Sequence, residues 1–191
     1  METFISILSR YNKIAKSYKK GEILSFEGDL CTSIRIVISG KILISSITKL
    51  GQEIIYKELT SNDIFGHNLI FSNNQTYRGN VNCLENTSLY EFNKEEFLDL
   101  LSKDKGFMEL FLKYQSEDTK KLNQQIKIKS LISAEEKLFY LLQINNHELK
   151  IKSITDLSRK LSISREATSR VVHQLLKQNK ISLKNKILRD K

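Results

Sequence analysis

No proline occurs in the 191 residues, and there are only two cysteines and seven glycines. The missing proline removes the strongest helix breaker, so a long helix can run through the chain uninterrupted. Cys31 and Cys83 stand far apart with no C-x-x-C spacing, which argues against a zinc site or an iron–sulfur cluster and fits a reducing cytoplasm. Each is expected as a small buried apolar side chain. No apolar run approaches the length needed to span a bilayer, and "FISIL" near the start is too short for a secretory signal core. The expectation is a cytoplasmic protein with no membrane partner. Also missing are a nucleophile–base pair, paired carboxylates and metal-ligand spacing. An enzyme, a bound metal and a cofactor are therefore not expected.

What is present is basic charge, unevenly placed. The chain carries a net charge of +9, with 40% hydrophobic and 28% charged residues, enough for both a core and solubility. Residues 131–191 hold 13 Lys and Arg against 6 Asp and Glu, a net of +7, whereas residues 1–130 hold 18 against 16, a net of +2. A basic final third attached to a nearly neutral remainder suggests a polyanion partner. Nucleic acid ranks ahead of membrane, because the segment has no lipid-type apolar face.

Along the chain the pattern changes twice. Residues 1–18 mix apolar and basic residues at helical spacing (Phe4, Ile5, Leu8, Ile14) and read as a short helix. From Gly21 to about Asn93 come short β-branched or alternating runs: "EILSFEGD", "SIRIVISG", "KILISSITKLG", "QEIIYKEL", "YRGNVNCLEN" and "SLYEFN". Glycines punctuate them, and "SGK" and "TKLGQE" read as hairpin turns. Such spacing favours an antiparallel barrel, roll or sandwich. Asn93 then caps a helix with acids in its first turn. A long helix follows, from about Lys105 to Leu131, apolar at its ends and polar through "QSEDTKK". It can pair with a copy of itself or pack on its own roll.

Ser133 and Glu136 form a capping box that starts "AEEKLFYLLQI". "HELKIKS" follows, then a helix "TDLSRKL", a tight turn "SIS", a further helix and a terminal hairpin "KISLKNKILRDK". This is the layout of a winged helix-turn-helix. In the window "LSRKLSISREATSRVVHQLL", Glu166, Ser169, Arg170 and His173 fall at helical spacing on one face beside Arg165, while Val171, Val172, Leu175 and Leu176 fall on the other. An acid is electrostatically unwelcome beside phosphates. Its presence on that face fits base reading: arginine pairs with guanine O6 and N7, and glutamate accepts from cytosine N4.

Both halves resemble one family, the Crp/Fnr transcription regulators. "KKGEILSFEGD", "ISGKILI", "LGQEIIYKEL" and "DIFGHNLIF" look like its glycine-spaced roll strands, and "ITDLSRKLSISREATSRVVHQL" looks like its DNA-reading signature. The resemblance implies an α+β chain: a jelly-roll-like antiparallel β-roll sensor domain (1–104), a dimerisation helix (105–131) and a winged helix-turn-helix (132–191). It implies base reading by Arg165, Glu166, Ser169 and Arg170 at half-sites of the TGTGA or TTGA(T/C) kind. The expected phosphate contacts are Ser164, His173, Lys177, Lys184 and Lys186, with Lys180 nearby. The implied partners are double-stranded DNA, a second copy of the chain, RNA polymerase and a small effector.

The same resemblance places an effector pocket at Gly66, His67, Asn68, Tyr77, Arg78, Leu122 and Asn123. The family's cyclic-nucleotide cassette reads "FGEL…RxA", and here the match is "FGHNLIFSNNQTYRGN". His67 stands at the acid position and Tyr77 at the arginine position, with Arg78 one residue off. Cyclic AMP is not the expected effector, unless a bulge turns Arg78 inward. A haem reading of His67 lacks a second ligand, and the family's iron–sulfur reading lacks an N-terminal cysteine group. A rival expectation is a ligand-sensing module whose basic C-terminal domain binds a protein partner.

Overall fold

A computed structural model describes residues 2–190, which divide into two compact units, residues 2–114 and 115–190. In unit 1 a short helix α1 (Phe4–Leu8) is capped by Thr3, whose hydroxyl accepts from the Ser6 backbone N–H. After a 3-10 turn at Ser9–Tyr11, Asn12 adopts a left-handed conformation and the helix cannot continue. The single helix expected over residues 1–18 is thus corrected. Ile14 is exposed, and strand β1 (Lys16–Tyr18) follows.

The remaining strands of this unit are β2 (Ile23–Ser25), β3 (Ile34–Ser39), β4 (Ile42–Ile47), β5 (Glu53–Leu59), β6 (Ile64–Phe65), β7 (Asn80–Cys83) and β8 (Thr87–Phe92), with helix α2 (His67–Ile70) after β6. They form two four-stranded antiparallel sheets, ordered β1-β8-β3-β6 and β2-β7-β4-β5. This corrects one reading. "SGK" is not a hairpin, because β3 and β4 lie in different sheets and the chain crosses between them at Gly40. Gly40 has a φ of +91°, and a Cβ there would sit 2.5 Å from the Asn86 carbonyl oxygen. Only glycine fits that crossing. "TKLGQE" does close a hairpin, between β4 and β5.

Strand register decides which side chains enter the roll. Arg35 pairs with Glu91 and Val37 with Leu89, on the face opposite Ile34 and Ile36. Phe92, which pairs with Ile34, meets Phe97 of α3 (Lys94–Lys103) at 6.1 Å between ring centroids. The Ile34–Ile36 face therefore packs on helices, and the Arg35–Glu91 face looks into the roll. Asn93 caps α3 through a capping box with Glu96. Helix α4 (Lys105–Ser130) begins in unit 1, where Phe107 and Phe111 join Phe97 and Phe4 in an edge-to-face aromatic cluster. Such pairs add about 0.5–1.5 kcal/mol each beyond area burial.

Unit 2 contains the rest of α4, then α5 (Ala134–Gln143), β9 (Glu148–Lys150), α6 (Ile154–Leu161), α7 (Arg165–Lys177), β10 (Ile181–Lys184) and β11 (Ile187–Asp190). Its three strands order as β10-β11-β9. Its own core gathers Leu138, Leu142, Leu157, Leu161, Leu175 and Leu188, all fully buried. No described helix is long and apolar enough to cross a membrane.

Candidate nucleic-acid interface

Helix α6 starts at Ser153, whose side chain caps the Asp156 backbone N–H at 3.1 Å. It ends at Ser162, which holds a φ of +54° and so reverses the chain without a glycine. Ser164 then caps α7 by accepting from the Ala167 backbone N–H at 3.1 Å. Ser164 therefore has a structural duty of its own, whatever else it touches. The Thr168 hydroxyl is fully buried and donates to the Ser164 carbonyl oxygen at 2.9 Å. Thr168, Val171, Val172 and Leu175 bury one side of α7, and Leu176 is half-buried.

The opposite side is exposed. Arg165, Glu166, Arg170, His173 and Lys177 all face solvent, and Ser169 is half-buried. Among the described residues neither Arg165 nor Arg170 forms an ion pair, so both guanidiniums keep their donors available. Glu166 is held below the usual carboxylate range by its own backbone N–H, then by the Ser164 hydroxyl. It remains an acceptor at neutral pH. Two arginine donors and one carboxylate acceptor are thus presented on the first turns of a helix fixed by its buried side.

The wing follows the same logic. Asn185 and Lys186 both take positive φ at the β10–β11 turn, which raises Lys184 and Lys186 at an exposed tip. The third strand, β9, pairs Leu149 with Leu188. Its N-terminal end is tied by Arg189 to Glu148 at 2.8 Å and by His147 to Asp190 at 2.7 Å. Lys180 is engaged with Glu135 at 2.8 Å.

In the roll, the expected pocket residues part company. Gly66 has a φ of +84°, and a Cβ there would come within 2.4 Å of the Ser33 carbonyl oxygen. His67 is buried against the rings of Phe111 and Tyr114 at 5.8 and 6.1 Å, so it anchors the start of α4. Asn68 and Arg78 are exposed, and Tyr77 is the residue that turns inward. Arg78 therefore does not occupy the interior position. Leu122 and Asn123 are exposed on the part of α4 that belongs to unit 2.

The interior cation is one the motif comparison passed over: Arg35. Its Nε donates to Glu91 Oε1 at 2.9 Å, and its Nη1 reaches Ser25 Oγ at 3.0 Å and the Tyr77 hydroxyl at 3.4 Å. Glu91 also accepts from Lys16 and, at 2.8 Å, from the Tyr18 hydroxyl. Burial raises the Glu91 carboxyl, and the contacts with Lys16, Tyr18 and Arg35 outweigh it, leaving the group below the ordinary range. Burial first, with the Glu91 hydrogen bond, pushes Tyr18 up to about 12. Burial also pushes Tyr77 up to about 12, with the Cys31 contact second. Both phenols stay protonated at neutral pH. The signal for Arg35 was an arginine at an inward position of the β-branched run "SIRIVIS".

Residues 15–104 match the family model of the cyclic nucleotide-binding domain. Solved structures resemble the chain well beyond that segment. The catabolite activator protein of Thermus thermophilus is 20% identical, over 98% of this chain and 89% of its own, with a TM-score of 0.56. A CooA mutant from Carboxydothermus hydrogenoformans is 16% identical, over 99% and 91%, with a TM-score of 0.71. The chain has the Crp/Fnr fold. A transcriptional regulator from Thermotoga maritima is 25% identical to this chain, over 68% of it and 98% of its own length, with a TM-score of 0.58. No curated protein sequence matches the chain.

Proposed function

We propose that this Crp/Fnr-type chain is a sequence-specific DNA-binding transcription regulator that reads an inverted repeat as a homodimer. The observation that carries the reading is the exposed Arg165–Glu166–Ser169–Arg170 face of α7, fixed from behind by Thr168, Val171 and Val172. Arg165 and Arg170 pair with guanine edges, Glu166 accepts from cytosine N4, and Ser169 adds a short polar contact. Ser164, His173, Lys177, Lys184 and Lys186 supply phosphate contacts that add affinity without sequence information. The exposed apolar residues Leu122 and Ile126 on α4 support pairing with a second copy. Two copies of α7 related by a two-fold axis would then sit about 34 Å apart, one turn of B-DNA. The reading places the protein in the cytoplasm, with RNA polymerase as a further partner and no enzymatic role.

Cyclic AMP is not the proposed effector. A buried phosphate needs a compensating cation, and where the cassette carries arginine Tyr77 offers only a hydroxyl, while the neighbouring Arg35 is already paired with Glu91. His67, packed in the aromatic cluster, offers no carboxylate to a ribose. Selection from random DNA sequences tests the DNA reading, and calorimetry with cyclic AMP tests the effector reading. Micromolar cyclic AMP binding would overturn the second without touching the first.

A further inference from the structure

The roll opens at one end onto a groove of about 790 Å³, lined in part by Lys13, Lys16, Ser33, Arg35, Glu91 and Glu96. Its volume lies in the range of small-molecule sites, roughly 300–1,000 Å³. None of Gly66, His67, Tyr77 or Arg78 lines the groove, and the Tyr77 hydroxyl touches its wall only from behind, through Arg35 at 3.4 Å.

The hydrogen-bond inventory at its inner wall is uneven. The Arg35 side chain is 13% exposed, so its cation is largely withdrawn from water. Its Nε and Nη1 are used, and among the described residues its Nη2 makes no hydrogen bond to protein. The Tyr77 hydroxyl beside it already receives hydrogen bonds from Arg35 and from the Cys31 thiol. Lys16 stands at the rim on Glu91, and Lys13 stands on Glu96 at 2.9 Å. Counting the five charged groups of the groove gives Lys13, Lys16 and Arg35 against Glu91 and Glu96, a surplus of one positive charge. Donors and positive charge are both in excess at a concave, partly dehydrated wall. Oxyanions are what such a wall recognises, and a guanidinium beside an ammonium suits a multi-oxygen dianion better than a single carboxylate.

We propose that this groove is a phosphate site, taking inorganic phosphate or the phosphate of a small monoester, with Arg35 as its anchor and Lys16 at its rim. Glu91 is the built-in competitor: the same guanidinium and ammonium that would hold the ligand are held by its carboxylate in this structure. Binding is therefore weak until Glu91 yields. The site offers the proposed regulator a sensing input separate from the cyclic-nucleotide cassette. Phosphate binding can be read without DNA, so a chain that selects no palindrome yet binds phosphate keeps this inference and loses only the DNA reading.

The test is isothermal titration of the full chain with inorganic phosphate, then glycerol 3-phosphate and succinate, at constant ionic strength. Glu91→Gln should bind phosphate about tenfold more tightly than the native chain, and the double variant Arg35→Gln/Glu91→Gln should lose that gain and about tenfold more. Lys16→Gln leaves the Arg35–Glu91 pair intact and should weaken native binding about threefold, which keeps the test decisive if the other variants fail to fold. No phosphate heat in the native chain and in Glu91→Gln overturns the inference. So does full affinity in the double variant, or an unchanged constant in Lys16→Gln. Succinate binding as tightly as phosphate overturns the ligand class.

Discussion

Arg170 projects from a helix whose other side is locked in a core, so removing its guanidinium should leave the fold alone. Arg170→Ala is expected to cost about 1–3 kcal/mol on the preferred DNA site and to relax preference at one base pair. Equal weakening on every DNA sequence would make it a phosphate contact only. Ser162 tests the local fold. It sits in the left-handed region at a helix-turn-helix corner, a conformation that costs a non-glycine residue about 1–2 kcal/mol. Ser162→Gly should raise the melting temperature by a few degrees, since glycine's greater freedom in the unfolded chain returns part of the gain. An unchanged or lower melting temperature would show that Ser162 is not strained.

At the scale of elements, Glu91 on β8 ties β1 through Lys16 and Tyr18, and β3 through Arg35. Its carboxyl lies below the ordinary value near 4.3, so the charged form is the one the fold favours. That stabilisation is complete above the unfolded-state value and fades as pH falls through the lower folded-state value. Glu91→Gln should therefore destabilise the chain by about 3 kcal/mol at neutral pH, the low end for a broken buried pair. The gap between denaturant melts of the two chains should narrow as pH falls below the unfolded-state value near 4.3 and close only below the lower folded-state value. A gap that stays constant with pH would remove the charge from the explanation.

The elements also show what a sequence makes legible. Alternation in "SIRIVISG" and "KILISSITKLG" marks two strands correctly, because side-chain period is a local property. Which sheet each joins is not local, and the hairpin inferred at "SGK" failed there. The visible clue was Gly40, whose close approach to Asn86 needs a residue with no Cβ. Helix α7 was legible because its cap, its apolar stripe and its polar face all lie within 14 residues, Ser164 to Lys177. The roll interior was not, because Arg35 finds Glu91 across 56 residues of sequence. The cassette pattern falls on Tyr77 and Arg78, just before β7, whereas the inward cation comes from β3.

For the whole molecule, the long helix and the basic C-terminal unit are where the proposed pairing and DNA binding can be tested. The stretch from Gln115 to Lys121 has no exposed apolar seam, so pairing through α4 should be weaker than through unbroken heptads. Sedimentation should show dissociation on dilution into the low micromolar range, and a dimer that resists dilution would contradict this. DNA binding should weaken steeply with salt, since each phosphate contact releases counterions. The central claim is that the exposed face of α7 reads sequence in a two-fold arrangement. Selection from random DNA at moderate salt measures this most directly. The expected result is enrichment of an inverted repeat with half-sites about one helical turn apart, lost when Arg165 and Arg170 are both replaced by alanine. Enrichment of no palindrome, or of the same palindrome by the double variant, would contradict it.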